Sequence, residues 1–423
     1  MRVLTIAILI IISGNLKAQK FNDLFEKGSL RIDYIHTATH NNEIISLDEF
    51  YHEPYWGGSE VNLIDTFNYG YYKFEMTDSI SSKILYSKGY STLSAEWTHT
   101  KEAKNNWRSF SESIIMPFPK KTIIVNIYKR NKQQDWEKLS SILVNPTNYM
   151  INSDQKTKIK SFKIHDSGKP SKKLDIVILA EGYTEQELQK FMKDAQRFTD
   201  TLLSWSPFNN YSNNINVWAV PTVSKESGTD IPGKGIYKNT YFDSHFYTFD
   251  TERYINTVKN VKIRDAAANA PYDQIYILVN TKKYGGAGIY NYYSICTADH
   301  PKSGFVFCHE FGHAFAGLAD EYYSSDVSVE NYYDLKKEPW EANITTLVDF
   351  DNKWKSSVSK DTKIPTEINI NGNNPLGAYE GGGYVEKGVY RPLPDCSMKS
   401  ILHNKLCPVC SKAISDLLEF YSE

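Results

Sequence analysis

The sequence predicts two unlike folded units in one chain, an all-β sandwich followed by an α/β or α+β domain. Three observations predict this. Over the first third of the chain, short apolar or aromatic runs alternate with polar turns. A polar, Lys/Ser-rich stretch then interrupts the pattern at 156–173. Beyond it, continuous apolar runs alternate with segments of helical periodicity. The length of 423 residues exceeds one typical domain and suits two.

The first element is not part of either fold. MRVLTIAILIIISGNLKAQK carries one Arg, an apolar run from Val3 to Ile12, and a polar turn ending in Leu16-Lys17-Ala18. This is the pattern of a secretory signal peptide cut after Ala18, with an apolar run too short to span a bilayer. No Cys follows the cut to carry a lipoprotein anchor, and no second long apolar run appears. The expectation is an exported chain that is periplasmic, cell-surface or secreted, with no transmembrane segment. Without residues 1–18 it has 46 basic against 50 acidic residues and no block of like charge. Nucleic acid is therefore not an expected partner.

Residues 19–155 form the expected β-sandwich. Runs such as Leu30-Ile32-Tyr34 and Ile123-Val125-Ile127 alternate with period two, as half-buried strands do. No catalytic constellation stands out there. His36, His40, His52 and His99 are scattered and read as core or surface residues. Residues 156–173 read as a linker, and 174–423 as the second domain. LDIVILAEGY predicts a strand buried on both faces. TEQELQKFMKDAQRFTDTLLSW predicts a helix, capped by Thr184 with Glu187 three residues on. INVWAVPTV and YDQIYILVN predict two more strands.

The chemistry is concentrated in FCHEFGHAFAGLADEYY, Phe307 to Tyr323. His309 and His313 are four apart, so on a helix both imidazoles leave one face and can converge on one zinc ion. Glu310 lies beside that face, where a carboxylate can act as general base towards a metal-activated water. Gly317 suits a helix C-cap, after which the chain can turn back with a third ligand. Asp320 is the favoured ligand and Glu321 the alternative. A bare HExxH also fits a core helix with two satisfied histidines, but the apolar GFVF before it and Ala314-Phe315-Ala316 after it favour the metal reading. HExxH followed by Gly317 and Asp320 resembles a metzincin with one residue inserted before the turn. That resemblance implies a methionine turn under the metal, and Met398 in PLPDCSMKS is placed for it.

Further motifs carry a closer likeness. HEFGH with GLADEY, CSM and the terminal CPVC resemble the bacterial IgA-peptidase-type zinc metallopeptidases. LDIVILAEGYT, SPFNNY, SKESGTDIP, YGGAGIYN and YEGGGY agree with that family from about Leu174 to Leu418. Residues 19–155 resemble, by arrangement, the β-rich domain that accompanies such peptidases. The resemblance implies a zinc-dependent endopeptidase acting on protein or peptide. His309, His313 and Asp320 would be ligands and Glu310 the base. It does not imply that immunoglobulin A is cut. Two other readings stay open: a zinc hydrolase confined to glycosylated proteins or amides, and a surface binding protein with an inactive peptidase domain.

Gly285 and Gly286, in YGGAGIYN, are candidates for close contact with extended substrate, or form a plain turn. Tyr384 and Tyr390 are candidates to stabilise an oxyanion. A calcium ion suits an extracellular peptidase, and Asp326 and Glu330 lie near the motif, but no EF-hand spacing supports one. All five cysteines fall in the C-terminal third, so this is no disulfide framework. Cys407 and Cys410 with Cys396 and His403 match a structural zinc site by count. A disulfide or simple packing is favoured over it, and a redox pair is disfavoured because no thioredoxin-like strand precedes.

Overall fold

The computed structural model describes residues 20–323, 333–402 and 404–422. The predicted signal peptide, and Asp326, Glu330 and His403, lie outside the described residues. The first part is β-rich. A short helix α1 (Phe21–Leu24) leads into β1 (Phe25–Ala38) and β2 (Glu43–Glu53), followed by β3 (Tyr72–Asp78) and β4 (Ile84–Tyr90). A five-residue helix α2 (Leu93–Trp97) precedes β5 (Arg108–Pro119), β6 (Ile123–Arg130) and β7 (Trp136–Val144). The strands form two antiparallel sheets, ordered β2-β1-β5 and β4-β3-β6-β7. Both sheets send alternate side chains into one cluster, among them Leu30, Ile32 and Tyr34 from β1 and Ile123, Val125 and Ile127 from β6.

The other face of β1 is not solvated, as simple alternation would suggest. Arg31 and Asp33 are buried because the second part of the chain covers them. Arg31 pairs with Glu53 and Asp33 and crosses to Asp265 at 2.8 Å. A buried guanidinium is tolerable only with such partners.

The second part is built on a six-stranded sheet. Its strands are β8 (Phe162–His165), β9 (Leu174–Glu181), β10 (Ile215–Val220), β11 (Gln274–Val279), β12 (Gly286–Ile289) and β13 (Tyr293–Thr297). They are ordered β12-β13-β11-β9-β10-β8. The four inner strands run parallel, and β8 and β12 close the edges antiparallel. Every residue of β9 is buried, as its continuous apolar run requires. Ile176 and Ile178 face α3 (Leu188–Ser204), α5 (Ser303–Ala316) and α6 (Pro408–Tyr421), whereas Val177 and Leu179 face α4 (Asn260–Ala267). Ala38, Trp97 and Phe110 of the β-rich part join this second cluster. The capping box of Thr184 and Glu187 is present where the sequence predicts it.

The segment 156–173 is more than a connection. It contains β8, which pairs with β10. Its lysines hide the strand from a hydrophobic reading, yet charged residues are what an edge strand carries. A two-stranded hairpin, β14 (Tyr379–Gly382) and β15 (Val385–Arg391), completes the fold beside the cleft.

Helix α5 is fixed by its aromatic stripe. Phe307, Phe311 and Phe315 recur at four-residue spacing and face the core. Phe307 stacks on Tyr276 of β11 at 3.9 Å and on Phe198 of α3 at 4.9 Å. His309 and His313 stand two residues further round and so leave another face. Against α5 lies β12, at a separation that only glycine permits. A Cβ on Gly288 would lie 2.1 Å from the Glu310 carbonyl oxygen. Gly288→Ala is therefore expected to destabilise the protein by about 1–3 kcal/mol, the usual overpacking range. Thermal unfolding checks this, and an unchanged midpoint would show that the strand and helix can separate freely.

Candidate metal centre

Two backbone carbonyls set the orientation of the histidines. His309 donates from Nδ1 to the Ser397 carbonyl at 2.9 Å, and His313 donates from Nδ1 to the Leu318 carbonyl at 2.5 Å. Each Nε2 is then left as the free lone pair. The two Nε2 atoms stand 3.1 Å apart. Asp320 brings Oδ1 to 3.2 Å from His309 Nε2 and 3.4 Å from His313 Nε2. Three acceptor atoms thus point at one another, and Asp320 Oδ1 is buried without a hydrogen-bond donor. Two imidazoles and a carboxylate so placed call for a positive charge among them, either a proton on an imidazole or a metal ion. Ligands about 2.0–2.2 Å from a tetrahedral zinc ion lie about 3.3–3.6 Å apart, so the donor set and spacing fit that ion.

The turn that delivers Asp320 follows from the helix end. Helix α5 runs through Ala316, and Gly317 caps it in the left-handed conformation at φ 57°. The Gly317 N–H returns to the His313 carbonyl, and the chain doubles back past Leu318. The helix thus continues three residues past His313 before Gly317 ends it. Burial alone would depress both imidazoles, but the neighbouring Asp320 carboxylate outweighs it and raises both, His313 to about 9. Asp320, despite its burial, is held well below the usual carboxylate range by the two histidines.

Glu321, the alternative ligand, points elsewhere. It is fully buried and accepts from Asn343 Nδ2 at 3.0 Å and from the Cys410 thiol at 3.3 Å. Met398 is buried under α5, its sulfur facing the space above Gly312 between the two histidines. Its carbonyl accepts from the Glu321 N–H at 2.8 Å. Glu310 lies over Gly286 of β12, and both line a cleft of about 350 Å³ that also contains His309, His313, Asp320 and Tyr384. Burial raises the Glu310 carboxyl above its ordinary range.

Two sequence candidates fall outside the cleft. Gly285 is turned to the Phe246 ring and the Arg253 carbonyl. Tyr390 exchanges backbone hydrogen bonds with Thr345 and packs by the Phe350–Trp354 cluster. Alternation along β15 buries Val389 and Arg391 and turns Tyr390 to the opposite side. Tyr384 is at the cleft, but its hydroxyl donates to Asp320 Oδ2. It sits with Gly383 in the two-residue turn of the hairpin, both at positive φ, 57° and 65°. A tyrosine in that conformation is strained. Its N–H holds the Tyr322 carbonyl at 2.9 Å, and Gly383 N–H holds the Asp320 carbonyl at 2.8 Å. The glycine-rich segment is thus a clamp on the segment that carries Asp320.

The sequence reading missed the contribution of the β-rich part. Tyr71, Ser91 and Glu96 line the same cleft. Glu96 is brought there by α2 and accepts from the Tyr254 hydroxyl. Nothing local marks it, because its neighbours in space come from another part of the chain. Arg253 and Tyr322 were missed likewise; Arg253 donates to the Tyr322 hydroxyl at 3.3 Å on the cleft rim. Among the described residues, none of His36, His40, His52 and His99 joins a group able to hold a metal.

Burial pushes the Glu96 carboxyl up to about 7 from an ordinary 4.5. The folded state then binds this proton more tightly than the unfolded state, so ionising Glu96 lowers stability. The penalty is absent below about 4.5, grows between 4.5 and 7, and is complete above about 7. Glu96→Gln is expected to unfold at a higher temperature than the parent at pH 8 and to match it at pH 4, both measured without metal. A difference independent of pH would contradict this.

Residues 162–372 and 368–418 match the family described as IgA Peptidase M64, and residues 20–141 match Peptidase M64 N-terminus. No curated protein matches the chain. The chain belongs to the IgA Peptidase M64 family, a family of metallopeptidases, and carries that family's N-terminal domain ahead of the peptidase domain.

Proposed function

We propose that this protein is an exported zinc-dependent endopeptidase of metzincin-like build, with His309, His313 and Asp320 as zinc ligands and Glu310 as general base. The observation that carries the reading is the convergence of His309 Nε2, His313 Nε2 and Asp320 Oδ1, with Glu310 on the same cleft. The β-sandwich at 19–155 and the peptidase domain from 174 are two domains that share one cleft. Export rests on the N-terminal signal pattern.

A bound zinc ion supplies Lewis acidity, lowering the pKa of water towards about 7 and polarising the scissile carbonyl. The protein supplies the rest. Glu310 does not ligate, so its carboxylate is free to take the proton of the attacking water and pass it to the leaving amine. Its raised proton affinity suits a group that must hold that proton between the two steps. The Nδ1 bonds to Ser397 and Leu318 fix each imidazole in the tautomer that offers Nε2. Ala287 to Ile289 of β12 line the cleft at the edge of the sheet, beyond the bridge of Gly286 to Tyr254, where an extended peptide can add by main-chain hydrogen bonds. Tyr384 acts through Asp320 as a positioning residue.

Zinc content and cleavage of a panel of folded and unfolded proteins test the proposal. The parent is expected to hold catalytic zinc and cleave, whereas Glu310→Ala keeps the zinc and loses about 10²–10⁴-fold in kcat. Cleavage by Glu310→Ala at the parental rate would remove Glu310 from the chemistry. For Tyr384→Phe, the expected result is about 10–100-fold weaker zinc affinity in competition with a chelator, the usual cost of losing a hydrogen bond to a ligand. Unaltered affinity would leave Tyr384 with a packing role only.

A further inference from the structure

Behind the cleft, Cys396, Cys407, Cys410 and Glu321 gather without any part in the proposed reaction. Three sulfurs and one carboxylate oxygen all lie within 4.8 Å of one another. All four residues are buried, Glu321 and Cys410 completely. Cys396 and Cys410 have their sulfurs 3.9 Å apart, and Cys410 Sγ is 3.3 Å from Glu321 Oε1. A disulfide brings sulfurs to about 2.05 Å. Sulfurs sharing a tetrahedral ion at about 2.3 Å lie about 3.8 Å apart. The observed spacing is that of ligands around one ion.

We propose that Cys396, Cys407, Cys410 and Glu321 hold a structural zinc ion, closed and distinct from the catalytic centre. Glu321 Oε2 is buried with no hydrogen-bond partner. A carboxylate in that position is costly unless a cation compensates it. Backbone amides are already turned to the sulfurs: Cys407 N–H meets Cys396 Sγ at 3.2 Å, and Cys410 N–H meets Cys407 Sγ at 3.4 Å. Such donors stabilise thiolates and fix ligand orientation. Cys407 is also the N-cap of α6, so the positive end of a 14-residue helix faces the cluster. Three thiolates favour a borderline-soft ion over calcium or magnesium.

The ion would tie three segments together. Cys407 and Cys410 start α6, Cys396 precedes Ser397 and Met398, and Glu321 directly follows Asp320. Ser397 orients His309, and the Met398 carbonyl takes the Glu321 N–H. The second ion would thus hold the floor of the catalytic centre and the segment that carries Asp320.

The test uses the full chain with His309→Ala and His313→Ala, which empties the catalytic centre. After loading with zinc, this variant is expected to retain one zinc per chain. Exchange to cobalt(II) should give intense sulfur-to-cobalt absorption in the near ultraviolet. Cys407→Ser in the same background should lose both. Zinc-edge X-ray absorption of the unmutated protein needs no variant and should show sulfur at about 2.3 Å. The proposal is overturned by zinc-loaded double variant without metal, by a cobalt spectrum without sulfur bands, by no sulfur scattering in the unmutated protein, or by a Cys396–Cys410 disulfide in metal-loaded protein. None of these readouts depends on catalytic zinc or on cleavage.

Discussion

Three acceptor atoms directed at one point are the constraint on which the rest of the structure depends. The Nδ1 bonds of His309 and His313 to main-chain carbonyls commit both Nε2 lone pairs to the same small volume as Asp320 Oδ1. Without a positive charge that arrangement is repulsive, so the surrounding fold must hold it in place. It does so from three directions. The aromatic stack of Tyr276, Phe307 and Phe198 fixes the helix, the turn at 396–400 fixes the His309 carbonyl partner, and the hairpin turn at Gly383–Tyr384 clamps the segment that carries Asp320.

These supports come from distant parts of the chain and are coupled. The Asp320–Glu321 pair illustrates it. Adjacent residues in an extended segment point to opposite sides. Asp320 therefore faces the histidines while Glu321 faces the cysteine cluster, and one short segment serves two donor sets. The strained Tyr384 is retained where it can reach Asp320, which is where strain in a protein most often has a use. The β-rich part is equally engaged, through Arg31 to Asp265 and through Glu96 and Tyr71 at the cleft.

Much of this was legible in the sequence because it is local. Four-residue spacing places His309 and His313 on one helix face, glycine at 317 ends that helix, and unbroken apolar runs mark the buried parallel strands. Family membership was legible from the same motifs. What was not legible depends on folding distant segments together. Glu96 has no sequence signature, because α2 gains its place only when the β-rich part packs on the sheet. Strand β8 lies hidden in a lysine-rich stretch, and alternation along β15, which turns Tyr390 away from the cleft, shows only once the strand's register is known. The three cysteines are legible as a group by count, whereas Glu321, 75 residues before Cys396, joins them only in space.

Diffraction from zinc-loaded crystals at wavelengths either side of the zinc absorption edge locates the ion directly. An anomalous peak is expected, bounded by His309 Nε2, His313 Nε2 and Asp320 Oδ1, at about 2.0–2.2 Å from each. A well-ordered cleft with no such peak in zinc-loaded crystals would contradict zinc ligation there.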